Sequence, residues 1–251
     1  MQHETNFLTT SEQVKGLNRR TVNFDPVRVL EFTLQGAAPG RIALVSSFGA
    51  ESIVLLHMIS QIDRSLPILF ADTQMLFAQT LAYQTDVALQ LGLTDVRHIR
   101  PEPEDVSEYD PNGVLNRVNK DACCDLRKTR PLQQALSEFD TWITGRKRFQ
   151  SRVRANLEFF ENDGDQRTKL NPLTHWRPDD LHNYIEAHHL PKHPLLKQGF
   201  ASIGCAPCTS PVKDGEDARA GRWRDSNKTE CGIHFTNGEM PRQSLNERPL
   251  P

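Results

Sequence analysis

The chain has 251 residues, of which 37% are hydrophobic and 25% charged, and its formal net charge is -2. These figures suit a soluble globular protein with an ordinary core, and the near-neutral charge gives no global drive toward nucleic acid or membranes. Any anion recognition has to come from local patches.

The polar start, Met1 to Thr10 with Glu4, shows no secretory signal. The most apolar stretch, residues 42–59, is broken by Ser46, Ser47, Gly49, Glu51 and Ser52, which rules against a spanning helix. Five cysteines in such a chain read as metal-binding or catalytic thiols in a reducing cytoplasm, not as a disulfide framework.

From Arg41 to Ser47 a short apolar run predicts a strand, and Ala50 to Ile62 follows with apolar residues at helical spacing. Leu66 to Ala71 is a second buried-type strand, followed by a helix through Leu91, and Asp95 to Ile99 reads as a third strand. The polar stretch from Pro101 to Asn119 reads as a loop or mobile connection. Helical spacing resumes from Asp121 to Phe139, with Pro131 as a kink or junction, and Thr141 to Thr144 reads as a fourth strand. Pro178 opens another helix, with Asp179 and Asp180 in its first turn. Strand and helix alternating over short links predict an α/β fold with a parallel sheet covered on both faces. The division is into residues 1–197, a nucleotide-binding domain, and 198–251, a loop-rich C-terminal segment whose end, from Asn237 on, reads as flexible.

The link between the first strand and helix contains Ser46, Ser47, Phe48, Gly49, Ala50, Glu51 and Ser52. Small residues allow a sharp turn there, and helix-start N–H groups make an anion cradle. It lacks the lysine of a GxxxxGK[ST] loop, and an ordinary serine-capped turn explains the segment equally well. Asp72, at the end of the second strand, falls where open α/β sheets bind ligands.

Cys123-Cys124 and the spaced pair Cys205 and Cys208 together supply four thiolates. Adjacent helical side chains diverge by about 100°, which suits the separate corners of an iron–sulfur cubane better than one tetrahedral zinc. Two inert buried cysteines plus an unrelated CxxC is the plainer reading. Lys128 lies one helical turn after Cys124, where it can sit between a cluster and an anionic substrate. Residues 146–154 hold five basic side chains in nine, and Arg219, Arg222 and Arg224 form a second basic group. Phosphate or sulfate suits such patches, although charged runs are often only solvated loops. Cys231 has Lys228 before it and His234 after it, neighbours that favour a reactive thiolate.

Together, SSFGAES at 46–52, CCDLRK at 123–128, TGRKRFQS at 144–151, GCAPCT at 204–209, RAGRW at 219–223 and ECGIH at 230–234 resemble the assimilatory adenylylsulfate (APS) reductases. These enzymes sit within the larger family that includes the phosphoadenylylsulfate (PAPS) reductases. The resemblance implies a cytoplasmic enzyme of sulfate assimilation that converts APS to sulfite and AMP with thioredoxin or glutaredoxin. It implies a doubly wound, mostly parallel sheet of the adenine-nucleotide α-hydrolase (ATP pyrophosphatase-like) type, in a homo-oligomer without nucleic-acid or membrane partners. By it, Cys123, Cys124, Cys205 and Cys208 hold a [4Fe-4S] cluster, which is not itself the electron donor, and Lys128 links that cluster to the substrate. Lys147, Arg148, Arg219 and Arg222 clamp the phosphosulfate, the 46–52 loop cradles the nucleotide, and Cys231 is the nucleophile with His234 beside it.

The chain departs from the family pattern at Gln74, usually Gly, at Phe149, usually Asp, and at Arg146, usually apolar; its tryptophan run is cut to Trp223. PAPS or dual specificity is the second reading, in which Arg146 and Arg152 meet a 3′-phosphate. A tRNA-thiolating ATP pyrophosphatase and a zinc-stabilised binding module are the readings from other classes.

Overall fold

Ile42–Ser46 forms the central strand β1, a run in which Ala43 and Leu44 are wholly buried on opposite faces. The computed structural model describes residues 10–164 and 167–224. Within them, β1 pairs in parallel with β2 (Ile68–Ala71) and with β4 (Thr141–Ile143), while β3 (Val96–Ile99) adds in parallel to β2. An antiparallel hairpin of β5 (Phe160–Asp163) and β6 (Arg167–Leu170) joins through β6, parallel to β4. The order across the six described strands is β3-β2-β1-β4-β6-β5, the doubly wound, mostly parallel sheet expected from the sequence.

On one face the apolar sides of five helices meet the sheet: α1 (Thr10–Thr21), α2 (Pro26–Phe32), α3 (Ser52–Ile62), α4 (Ala78–Leu91) and α9 (Pro178–Ala187). The residues buried there include Leu17, Leu30, Ile53, Leu56, Val87 and Leu181 around Leu44 and Phe70. Each such burial contributes about 1.5–3 kcal/mol. On the other face Leu132 and Leu136 of α8 (Arg130–Leu136), together with Phe139 and Trp223, cover Ala43, Leu69 and Trp142.

Residues 101–119 depart from the loop expected of them. They contain α5 (Pro103–Tyr109) and α6 (Leu115–Val118), pinned by Asp110, whose carboxylate is buried and receives Arg127 Nη2 at 2.7 Å and Nε at 3.1 Å. The other carboxylate oxygen of Asp110 accepts the Leu115 N–H at 2.9 Å. A buried ion pair made across the sequence gives no local signal, which is why the stretch reads as polar loop.

The helix of the cysteine pair is also more structured than a kink at Pro131. After α7 (Lys120–Cys124) the backbone widens into a π turn over Asp125–Thr129 before α8 begins. Arg130 N–H reaches back five residues to the Asp125 carbonyl, so the ladder steps past Pro131, which has no N–H to give.

The β5–β6 hairpin carries charge into the interior. Lys169 is fully buried, with its Nζ 3.3 Å from Asp163 Oδ1 and 4.6 Å from the centre of the Trp142 ring. Burial pushes the Lys169 amine down from its ordinary pKa, and Asp163 opposes the shift. At the sheet margin Asn18 of α1 copies a peptide group: its Oδ1 accepts Phe160 N–H at 2.9 Å and its Nδ2 donates to Phe160 O at 2.8 Å. The bare rim of β5 is thereby capped.

Candidate active site

The strand order reverses between β1 and β4, and the chains leaving these two parallel strands diverge to opposite sides there. A cavity of about 330 Å³ opens at this point. Its floor is the β1–α3 link, with Ser46, Ser47, Gly49, Ala50, Glu51 and Ser52. One wall is Thr144–Lys147, Phe149, Gln150 and Arg154 after β4, and the other comes from residues 201–203, 217–219, 222 and 223. Lys128, Arg146, Lys147, Arg154, Arg219 and Arg222 all line it, against the carboxylates of Glu51 and Asp217. So strong a local excess of cations in a chain of net charge -2 fits a polyanionic ligand.

Lys147 is the most enclosed of these cations, about 2% exposed, and its Nζ lies 2.6 Å from Glu51 Oε2. Burial pulls its pKa down, the Glu51 carboxylate opposes that, and Arg154 and Arg219 add to the lowering. Gln150 ties the wall together: its Nε2 donates to Glu51 Oε2 at 3.1 Å, while its Oε1 accepts Lys147 N–H at 3.2 Å and bonds Arg154. Arg222 donates to Ile203 O at 3.2 Å and stacks 4.5 Å from the Trp223 ring centre. Gly204 makes room for it, because a Cβ there would fall on the guanidinium.

Behind this wall a second, smaller cavity is lined by Cys123, Cys124, Cys205 and Cys208, four thiols from α7 and the 205–208 turn. Thr73 Oγ1 lies 3.2 Å from Cys205 Sγ. Burial pushes the Cys123 thiol up to about 12, and its cysteine neighbours push in the same direction. Arg127, Lys128 and Arg222 face the same space. No group of His, Cys, Asp or Glu among the described residues is arranged to cage one metal ion. Four thiols lining one cavity, with cations around them, are donors of the kind that suits an anionic sulfur-ligated group. Lys128, Arg222 and Trp223 line both cavities and so form their shared wall.

Not every residue expected in the site arrives there. Phe48 is fully buried in the core, edge-on to Phe70 with ring centres 5.2 Å apart. Asp72 turns toward the β3 side, where Arg100 Nε donates to it at 2.8 Å and His98 Nδ1 lies at 3.5 Å. Burial pushes the Asp72 carboxyl up, but bonds from Arg100, the Gln74 backbone and His98 outweigh it and hold it below the usual range. Arg148 points away and donates from Nε to Leu157 O at 2.7 Å, while Arg154 lines the cavity in the clamp place expected of Arg148. Arg146 is buried with its guanidinium bonded to Glu161 and Asn171, whereas Arg152 is exposed and outside the cavity lining. Gln74 sits at φ +60°, a backbone that favours the Gly usual in the family. Cys231 and His234, like the end of the chain from Asn237, lie outside the described residues.

Fold and cavity together define a doubly wound α/β protein with a cation-lined cavity at its switch point. Residues 41–211 match the phosphoadenosine phosphosulfate reductase domain, and the chain belongs to that family. An adenosine 5′-phosphosulfate reductase of Mesorhizobium japonicum is 47% identical over 225 residues, covering 90% of this chain and 88% of that protein. One of Halalkalibacterium halodurans is 39% identical over 197 residues, covering 77% and 85%. Among solved structures, a phosphoadenylyl-sulfate (PAPS) reductase of Candida auris in complex with phosphate is similar at a TM-score of 0.67 and 26% identity, covering 82% of this chain and 98% of that one. Yeast FAD synthetase, at 14% identity and a TM-score of 0.53, shares the fold.

Proposed function

We propose that this protein reduces adenylylsulfate to sulfite and AMP in sulfate assimilation, in a reducing cytoplasm, with thioredoxin as the electron source. The observation that carries this reading is the shared wall: a cation-lined cavity backs directly onto a cavity of four thiols through Lys128, Arg222 and Trp223. Relatives named adenosine 5′-phosphosulfate reductase, at up to 47% identity over nine-tenths of the chain, support the choice of substrate.

In this reading the N-terminal turn of α3 and the serines before it hold the phosphate, while Lys147, Arg154, Arg219 and Arg222 surround the sulfate. The Cys231 thiolate attacks the sulfate sulfur. An S–S bond forms, the S–O bond to the phosphate breaks, and AMP departs with the electron pair. The surrounding cations stabilise that leaving charge in an enclosed site. A thioredoxin thiolate then attacks Cys231 Sγ and sulfite leaves; its second thiol resolves the mixed disulfide, and the two thiols supply the two electrons. Cys123, Cys124, Cys205 and Cys208 would hold a [4Fe-4S] cluster. When bound, it supplies fixed charge beside the substrate and ties α7 to the 205–208 turn.

The test is anaerobic purification followed by iron, acid-labile sulfide and sulfite assays. About four irons and four sulfides per chain are expected, with sulfite from APS and reduced thioredoxin. Zinc without sulfide would overturn the cluster, and faster turnover of PAPS would install the alternative substrate. Cys231→Ser is expected to abolish sulfite formation with iron intact.

A further inference from the structure

Arg146 lies three residues past the end of β4, at the mouth of the switch point, and lines the cavity. Its neighbour Lys147 faces the floor, bonded to Glu51. Arg146 is bonded sideways instead, into the β5–β6 hairpin. Its Nε donates to Asn171 Oδ1 at 3.1 Å, and its Nη2 is paired with the Glu161 carboxylate. Asn171 is fully buried and braces the acceptor: its Nδ2 donates to Glu161 Oε2 at 2.8 Å and to Glu158 O at 3.0 Å. Arg146, Glu161 and Asn171 therefore form a closed triangle, with a buried cation at one corner and its counter-anion at another.

We propose that Glu161 is a specificity-determining residue: it withholds the Arg146 charge from the ligand, so that the cavity favours a nucleoside 5′-phosphate chain over one carrying further phosphate on its ribose. This rests on the reading of the cavity as a nucleotide site. Arg146 is the cavity cation bonded to a carboxylate on the far hairpin. A buried guanidinium deprived of its carboxylate takes any anion that reaches it. Removing the Glu161 charge thus leaves the Arg146 guanidinium in the cavity lining without the carboxylate that balances it here.

The experiment is calorimetric titration of the full chain with AMP and with adenosine 3′,5′-bisphosphate, for the native protein and for Glu161→Gln. The native protein is expected to bind AMP at least as tightly as the bisphosphate. In Glu161→Gln the ratio is expected to move about tenfold or more toward the bisphosphate, the effect of one charge-assisted contact. The gain should steepen with falling salt. The pair Glu161→Gln with Arg146→Met removes both charges and should return the ratio to within about twofold of native, since the gain runs through Arg146. An unchanged ratio in folded Glu161→Gln overturns the proposal, as does a gain that survives in the double variant. Should the single variant not fold, a double variant whose ratio differs from native by more than about fivefold overturns it equally. If the native chain binds neither nucleotide, the nucleotide reading fails first and the inference falls with it.

Discussion

The two cavities share a wall and are built on opposite principles. The larger one is assembled from strand ends and loops and concentrates charge: Lys147, Arg154, Arg219 and Arg222 line it together with the carboxylates of Glu51 and Asp217. The smaller one is assembled from a short helix and a turn, concentrates sulfur, and suppresses charge, since burial holds the Cys123 thiol protonated up to about 12. One region gathers charge that suits a visiting anion, whereas in the other burial disfavours the charged form of a thiol.

The largest effect expected from breaking this contrast is Cys205→Ser. Iron should fall from about four per chain to below one, measured by metal analysis and loss of visible absorbance, while nucleotide binding survives. Lys147→Met strikes the other side: kcat/KM for APS should drop about 10²–10³-fold, with iron content unchanged. Loss of iron there would show the two cavities to be one unit. Gly204→Ala tests the shared wall, because the new methyl displaces Arg222 from between the cavities. Turnover is expected to fall about tenfold or more. The smallest effect lies outside both cavities. Burial pulls His193 down to about 4, with Thr80 Oγ1 at 3.1 Å from its Nε2. The unfolded chain takes up that proton near pH 6.5, so stability should decline as pH falls from there toward 4. His193→Gln should flatten the melting-temperature profile over that window while leaving turnover at pH 7.5 unaffected.

How much of this was legible depended on whether neighbours in sequence are also neighbours in space. The parallel strands announce themselves, since Ile42–Ser46 and Ile68–Ala71 are apolar runs buried on both faces. The β5–β6 hairpin does not: Glu161, Asn162, Asp163, Arg167 and Lys169 read as solvent-facing, and they enter the interior only through partners such as Arg146 and Trp142. Helix α1 carries Val14, Leu17 and Thr21 at helical spacing on one buried face, a pattern too sparse against its charges to stand out. In the site, the basic run at 146–154 was visible as charge but not as direction. Arg148 turns out toward Leu157 and Arg154 turns in, a choice set by the two short 3₁₀ turns between them. Phe48 sits inside the anion-loop motif yet serves the core, at φ +46°.

The Asn18 clamp on Phe160 has a practical consequence for anyone trimming the protein. A fragment cut to residues 41–211, the span that defines the family, would lose α1 and with it the amide that occupies the exposed peptide of β5. Arg219, Arg222 and Trp223 would go with it, but the first symptom would be adhesion: a bare strand margin recruits the same margin on the next molecule. The N-terminal helix is, in that sense, the protein's own bumper, keeping one copy from zipping onto another.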